Sequence, residues 1–180
     1  MRVSFPGLVT LLFAVSLLAV SLFSDALAQQ VSEPGDIQRV LFVDGNQSVQ
    51  MKDSVASRKG SWSVPVSKQY YVFKGPRAAL RTKTTLPEIQ FERDPAFDDP
   101  VYLFRFDVRS DRREIRVAKG SGGLALMSLP KDHLIETTVE EIGNGQNQRK
   151  RYLLKATIPL QPGEYCLSRR FSICYDFGVD

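Results

Sequence analysis

Period-two alternation of apolar and polar residues constrains this fold more than any other feature of the chain. Downstream of residue 38, about ten short stretches alternate in this way, and turn residues separate them at intervals of roughly 8–12 residues. The clearest stretch is Val101–Val108, whose aromatic and β-branched content is typical of a strand. After a turn at Ser110-Asp111-Arg112, Arg113–Ala118 alternates cleanly. The pattern predicts an all-β protein.

The predicted fold is a single antiparallel β-sandwich over residues 38–180, Greek-key or immunoglobulin-like. No stretch shows convincing helical periodicity, although Met51–Ser57 has the weakest strand signal. A jelly roll or a barrel is the alternative, because strand spacing does not fix the order in which strands pair. Prolines occur at positions that suit strand ends or edges: Pro65, Pro87, Pro100, Pro130 and Pro159.

The first 28 residues predict a secretory signal peptide. Arg2 supplies a positive charge, and Leu8–Phe23 form an apolar core. Ala26-Leu27-Ala28 then gives the small-x-small pattern that a signal peptidase cuts. An uncleaved membrane anchor is the alternative, but Pro6 and Gly7 disfavour a spanning helix.

Cleavage after residue 28 predicts an exported protein, either periplasmic or extracellular. Residues 29–37 would then form a short flexible N-terminus, and residues 38–180 are long enough for one domain with a single hydrophobic core. Export also predicts an oxidising environment, in which paired cysteines form disulfides.

The formal net charge of +4 is a mild excess for 180 residues. The basic residues fall in short clusters beside turns, Arg112-Arg113, Arg149-Lys150-Arg151 and Arg169-Arg170. Clusters of this size are typical of solvated loop ends, whereas a nucleic-acid surface normally needs a longer basic stripe. We therefore expect no nucleic-acid partner. Weak association with anionic lipid headgroups or polyanionic glycans stays open.

Cys166 and Cys174 are the two cysteines of the chain. If Arg169-Arg170-Phe171 forms a hairpin turn, the two residues lie opposite each other on neighbouring strands, within reach of a disulfide. We expect a structural disulfide that stabilises the fold by about 2.5 kcal/mol through loop closure. The C-x-x-C spacing of redox-active pairs is absent from the sequence.

The segment Pro162-Gly163-Glu164-Tyr165 has the sequence of a turn that enters a strand. Pro162-Gly163 predicts the turn, and Glu164 is expected to face solvent. Tyr165 is expected to point inward and to bond a backbone group through its hydroxyl, as in the tyrosine corner of Greek-key sandwiches. We interpret the following residues of this segment and of the C-terminus as structural: Pro162, Gly163, Tyr165, Asp176, Phe177 and Gly178.

The same two segments carry a family resemblance. Leu160–Tyr165 and the ending Tyr175–Asp180 resemble a group of exported bacterial proteins that share a PGEY step and an (F/Y)DFGVD terminus. The resemblance extends with less specificity back to residue 74. It implies a small envelope or secreted β-domain. It transfers no functional residue, because the group has no assigned activity.

Histidine chemistry is disfavoured by the sequence. His133, the single histidine, follows a turn at Pro130-Lys131-Asp132 and is predicted to lie in a solvent-exposed loop. Catalytic triads and zinc sites usually depend on histidine in a larger constellation. The glycine-rich stretch Gly120–Gly123 lacks the Lys-Ser/Thr of a phosphate loop. No cofactor is predicted.

Carboxylates are the remaining route to catalysis. Asp94, Asp98 and Asp99 lie in one proline-flanked turn, where calcium is disfavoured because the EF-hand spacing is absent. Glu140 and Glu141 point to opposite faces of a predicted strand. We therefore assign no catalytic, cofactor-binding or metal residue.

The sequence as a whole favours a non-enzymatic binding or interaction module of the cell envelope. Its expected partner is another envelope protein or a surface polymer. A carboxylate-dependent hydrolase that acts on an envelope or extracellular polymer is one alternative, and a structural envelope component is another.

Overall fold

The computed structural model describes residues 37–63, 66–97, 99–121, 124–127 and 129–180. The predicted signal peptide, residues 29–36 and Asp98 lie outside the described residues. Ile37, the last residue of the predicted flexible segment, is 2% exposed and belongs to the hydrophobic core. In the described ranges we find no helix with the length and hydropathy needed to cross a membrane.

The described residues form sixteen strands, more than the ten expected, because several strands have only two to four residues. They are β1 (Gln38–Asp44), β2 (Gln47–Gln50), β3 (Asp53–Val55), β4 (Ser57–Ser63), β5 (Val66–Lys74), β6 (Arg81–Thr82), β7 (Glu88–Arg93), β8 (Tyr102–Arg105), β9 (Asp107–Val108), β10 (Arg112–Ser121), β11 (Leu124–Met127), β12 (Leu134–Ile135), β13 (Thr137–Asn144), β14 (Lys150–Ala156), β15 (Gly163–Ser168) and β16 (Ile173–Val179).

These strands build three sheets. Sheet A has the order β13-β14-β7-β1-β2, and sheet B has the order β12-β8-β15-β16-β3 with β6 added in parallel beside β16. Sheet C has the order β11-β10-β5-β4, and β9 pairs with β10. The all-β antiparallel fold class is confirmed and is consistent with a sandwich. None of the sheets in the described residues closes into a barrel, so that alternative is wrong.

Sheet B is the middle layer, because both of its faces are buried. One apolar cluster joins its first face to sheet A and contains Phe42, Ile89, Phe91, Leu154, Leu103, Tyr165, Leu167 and Phe177. The second cluster joins its other face to sheet C and contains Phe104, Cys166, Cys174, Phe73, Ile115 and Val117. As a result, every residue from Glu164 to Ser168 is buried, as expected for a strand that is covered on both sides.

The two cysteines lie at disulfide-bonding distance, with their Cα atoms 5.6 Å apart. Their predicted position directly opposite each other is wrong, because Cys166 pairs with Asp176 in the ladder. The turn also includes Ser172, and Ile173 N–H donates to the Arg170 carbonyl at 3.0 Å. This longer turn shifts the register by two residues, so the disulfide runs diagonally between β15 and β16.

Candidate functional site

The motif residues of the C-terminal segments lie in the core. Tyr165 is 1% exposed, and its hydroxyl donates to the Gln161 carbonyl at 2.6 Å. The Tyr165 ring stacks on the Phe177 ring, with the two ring centroids 5.6 Å apart. The Phe42 ring packs against Phe177, with a centroid distance of 5.1 Å. Burial raises the pKa of the Tyr165 hydroxyl, against the opposing effects of Arg105 and the Gln161 hydrogen bond. These contacts are those of the predicted tyrosine corner.

The two motif glycines make room for arginine side chains. Gly163 is the first residue of β15 and not a turn residue, and a Cβ atom there would lie 2.7 Å from Arg105 Nε. Arg105 also donates from Nη2 to the Pro162 carbonyl at 2.7 Å. A Cβ atom at Gly178 would overlap the guanidinium of Arg81. Both glycines are therefore explained by close approach of a neighbouring cation.

Glu164 was expected to face solvent, and this prediction is wrong. The residue is 5% exposed, because sheet C covers the face of sheet B to which it belongs. Its carboxylate accepts hydrogen bonds from Arg81 Nη1 and from the Ala78 backbone N–H, the latter at 2.6 Å. Arg113 Nη1, on β10, lies 4.0 Å away. A buried carboxylate with these partners is a structural group.

Glu164 belongs to a larger group of charges. We call Arg81, Arg113, Glu164, Asp176 and Asp180 the ionic cluster; Arg113 and Glu164 are buried, whereas the Asp180 side chain is 41% exposed. Arg113 pairs with Asp176, and Arg81 pairs with both Glu164 and Asp180. Arg81, the main cause, holds the pKa of Asp180 below its usual value, although slight burial acts the other way.

Backbone groups complete the surroundings of Arg113, which is 4% exposed. Its Nε donates to the Gly75 carbonyl at 3.2 Å and its Nη2 to the Lys74 carbonyl at 3.3 Å. Asp176 also accepts a hydrogen bond from the Ser54 hydroxyl at 3.2 Å. Because each charge of the cluster has an opposite partner, the cluster holds β6, β10, β15 and β16 together and leaves no acid poised for catalysis.

A different arrangement of charges lies on the outer side of sheet C. Phe73, Ile115 and Val117 point toward sheet B, so the alternate positions of β5 and β10 point outward. Register then places the neighbouring residues of β4 on the same side. We call six outward residues the basic face: Lys59, Lys68, Tyr70, Lys74, Arg112 and Arg116.

The basic face is a strip of cations around one aromatic ring. Lys59 of β4 and Arg116 of β10 pair on either side of Tyr70 in the ladder. Lys68 and Lys74 lie further along β5, about 20 Å apart at roughly 3.3 Å per residue. Among the described residues, no carboxylate forms an ion pair with any of the three lysines or with Arg116. Lys59 and Lys74 are exposed, and the other two are half-buried.

The acid at the centre of this strip is already neutralised. Glu114 is 7% exposed and accepts hydrogen bonds from Arg112 Nε at 2.9 Å and Arg109 Nε at 3.0 Å. Burial by itself would raise the pKa of Glu114, but the bonds from Arg112 and Arg109 outweigh it and lower the pKa below 4.5. Asp107 and Asp111 lie at the margin, and Asp111 pairs with Arg112 at 3.1 Å. The strip therefore keeps a net positive charge.

His133 lies in the predicted turn, at residues 131–133, but its side chain is half-buried rather than fully exposed. Its side chain is 19% exposed, and its Nδ1 lies at hydrogen-bonding distance, 2.8 Å, from the Arg105 carbonyl. Its Nε2 faces Asp132 at 3.7 Å and Asp107 at 3.8 Å, beside a cavity of about 330 Å³. The Asp132 side chain is 81% exposed. Within the described part of the chain, no three histidine, cysteine or acidic residues are placed to hold a metal ion.

The described acids of the two sequence clusters do not converge: Asp99 lines a cavity beside Arg169 and Phe171, and no other described acid lines it. Asp94 accepts the Ala96 N–H at 2.9 Å within its own turn, and Asp99 pairs with Arg169. Glu140 is exposed on the edge strand β13, and Glu141 pairs with Lys150 at 2.9 Å. These acids therefore act as turn and surface groups in the structure.

The basic face was missed in the sequence because its residues come from three separate strands. A local signal was available, since Lys68, Tyr70 and Lys74 lie at alternate positions of β5, and Arg112 and Arg116 lie at alternate positions of β10. Which set of alternate positions faces outward depends on contacts between sheets B and C. Comparisons of the chain with protein-family models, with curated proteins and with solved structures found no match.

Proposed function

We propose that this protein is an exported binding module of the cell envelope and that its basic face holds a polyanionic partner. The observation that carries the proposal is the strip of cations on sheet C, in which Lys59, Lys68, Lys74 and Arg116 have no carboxylate partner among the described residues. Cations concentrated on one side of a sheet attract an extended array of anions far more strongly than the same charges scattered over a protein.

The physical character of this binding follows from the exposure of the face. Because Lys59 and Lys74 are exposed to solvent, each of their contacts with an anion is weak, and salt screens it over a distance of about 8–10 Å. Strength then comes from several contacts made at once. We expect affinity to fall steeply as salt rises, since each neutralised anionic group releases counterions.

A triple variant of the full-length protein tests the proposal. Lys59→Gln, Lys68→Gln and Arg116→Gln together remove three charges of the strip. We expect the variant to elute from immobilised polygalacturonate at clearly lower salt than the wild type, with a flatter dependence of affinity on salt. Unfolding by urea should report a stability within about 0.5 kcal/mol per site of the wild type, because these are surface positions.

A matched control separates the face from the net charge. Lys52→Gln, Lys83→Gln and Lys131→Gln remove the same number of charges from exposed positions outside sheet C. We expect this control to elute close to the wild type. Equal shifts for both triple variants would mean that overall charge attracts the polymer and that the basic face has no special role.

A carboxylate-dependent hydrolase is the second candidate, and the surroundings of His133 favour it. Asp107 and Asp132 both approach His133 Nε2 beside a cavity, which is the pairing of acids and base that hydrolysis uses. Prolonged incubation of the protein with polygalacturonate should then create new reducing ends. A double variant, Asp107→Asn with Asp132→Asn, should abolish them, while polymer retention should not fall.

A further inference from the structure

We infer that the partner of the basic face is a linear acidic polysaccharide that lies along β5 and packs against Tyr70. The inference rests on the proposed function and specifies its ligand. It uses the dimensions of the strip, the position of the aromatic ring and the distribution of exposed apolar side chains. Each of these points to a sugar polymer over another polyanion.

The strip has the shape of a site for an extended chain. Lys68 and Lys74 lie on the central strand β5, about 20 Å apart. Lys59 and Arg116 flank this line at Tyr70 from the two neighbouring strands, about 10 Å from each other at roughly 4.8 Å per strand. A linear polymer along β5 would meet cations at its two ends and on both sides of Tyr70.

Tyr70 lies on this line, two residues from Lys68 and four from Lys74, and a sugar ring would lie on it. A tyrosine offers an apolar ring face together with a polar hydroxyl at its edge. This combination suits a sugar, which has C–H groups on its ring face and hydroxyls around it. The cations on both sides are then placed for acidic substituents of the same or adjacent sugars, and the guanidinium of Arg116 matches the geometry of a carboxylate.

A lipid bilayer fits this face less well, because surface helices and anchors bind lipid by inserting apolar side chains. The exposed large apolar residues of the described chain lie elsewhere: Val49, Val55, Leu86, Leu134, Val139, Ile142 and Ile158, with Val108 at the margin on β9. Single-stranded nucleic acid fits less well too. It stacks successive bases on successive aromatic rings, and Tyr70 is the one aromatic ring among the described side chains of this face.

The test compares two polyanions with and without sugar rings on the wild type, Tyr70→Phe and Tyr70→Leu. Oligogalacturonates of increasing length are one probe, and polyphosphate is the other. We expect Tyr70→Leu to weaken oligogalacturonate binding by roughly three- to tenfold, whereas Tyr70→Phe, which keeps the ring and loses only the hydroxyl, should weaken it less. Polyphosphate binding should be the same in all three proteins. Affinity should rise with oligogalacturonate length until the chain spans Lys68 to Lys74, and then level off.

Other outcomes are separable from failure of the proposed function. If Tyr70→Leu leaves oligogalacturonate binding unchanged, or weakens polyphosphate binding equally, sugar packing on Tyr70 is wrong while polyanion binding stands. Tighter binding to anionic phosphatidylglycerol vesicles, or to a single-stranded oligonucleotide, would also overturn the polysaccharide assignment. If the triple variant of Lys59, Lys68 and Arg116 binds both probes like the wild type, the proposed function itself fails.

Discussion

Two arginines on strand β10, Arg113 and Arg116, show how differently the two faces of sheet C use charge. Arg113 points inward, is 4% exposed, and has Asp176, Glu164 and two backbone carbonyls around it. Arg116 points outward beside Tyr70, and no carboxylate of the described chain pairs with it. Inside, each charge is compensated because an unpaired buried charge is too costly. On the outer face, water solvates an unpaired charge at little cost in free energy, and the proposed ligand could then bind that charge.

On the outer side of sheet A, in contrast, lysine and arginine side chains form ion pairs with acids on neighbouring strands. There Lys155 pairs with Glu88 at 2.5 Å across neighbouring strands, and Arg39 lies 3.8 Å from Glu92. Opposite charges on neighbouring strands stabilise a sheet. The described side chains of sheet C show no such pair along its lysines, which supports the proposal that the strip of cations serves binding rather than stability.

The largest loss of stability should come from a substitution in the ionic cluster between sheets B and C. Glu164→Gln removes the charge that faces Arg81 and Arg113, and we expect it to destabilise the protein by about 3–5 kcal/mol, the usual cost of breaking a buried pair. Glu88→Gln is the matched control, because the same substitution then breaks an exposed pair worth about 0–1 kcal/mol. Urea unfolding measures both. Similar losses in the two variants would mean that burial does not determine how much an ion pair contributes to the stability of this protein.

Gly178→Ala should have the next largest effect. A methyl group there would displace the Arg81 guanidinium from Glu164 and Asp180, and we expect a loss of about 1–3 kcal/mol, as for other overpacked sites. A double-mutant cycle with Arg81→Ala checks the cause. If Arg81 is what the methyl group displaces, Gly178→Ala should cost much less once Arg81 is absent. An undiminished cost would point to strain in β16 itself.

The sequence predicts local features of this structure and fails where layers meet. Strand periodicity and the Tyr165 hydroxyl bond were predicted, because both arise within a few neighbouring residues. The burial of Glu164 was not, since it depends on Arg81 and Arg113, which are far away in the chain. The apolar run Tyr165–Leu167 was an available signal, because continuous burial indicates a strand covered on both faces.

The site follows the same rule. The lysines of β5 and the arginines of β10 alternate visibly in the sequence, but neither strand alone shows which side faces solvent. That is decided by the packing of Phe73 and Ile115 against sheet B. The half-burial of the His133 side chain was missed for a related reason. Its ring is held by the carbonyl of Arg105, on a different strand, and no local pattern encodes that contact.

Low pH should remove the stability that Glu114 contributes through its hydrogen bonds with Arg112 and Arg109. The pKa of Glu114 in the folded protein lies below its ordinary value of 4.5, so the folded state binds this proton less readily than the unfolded chain does. The stability that Glu114 contributes is therefore present above pH 4.5 and is lost as the pH falls through the folded-state pKa. We expect Glu114→Gln to be less stable than the wild type at pH 7 and the difference to shrink near pH 3, as measured by urea unfolding. A difference that stays constant with pH would show that shape, and not charge, is what Glu114 supplies.

The smallest predicted effect is a change in melting temperature on substitution of Lys74, a residue of the basic face. Lys74 pairs directly opposite Arg112, and like charges in this position destabilise a sheet. Lys74→Glu should therefore raise the melting temperature slightly, by giving Arg112 an acid across the ladder, while it weakens retention on polygalacturonate. Lys83→Glu, at an exposed position outside sheet C, should do neither. A stabilised variant that binds less well means that the basic face sacrifices stability for its ligand. A Lys74→Glu variant that is less stable than the wild type would mean that Lys74 is a structural residue, and that the contrast between the inner and outer charges of sheet C is smaller than we argue.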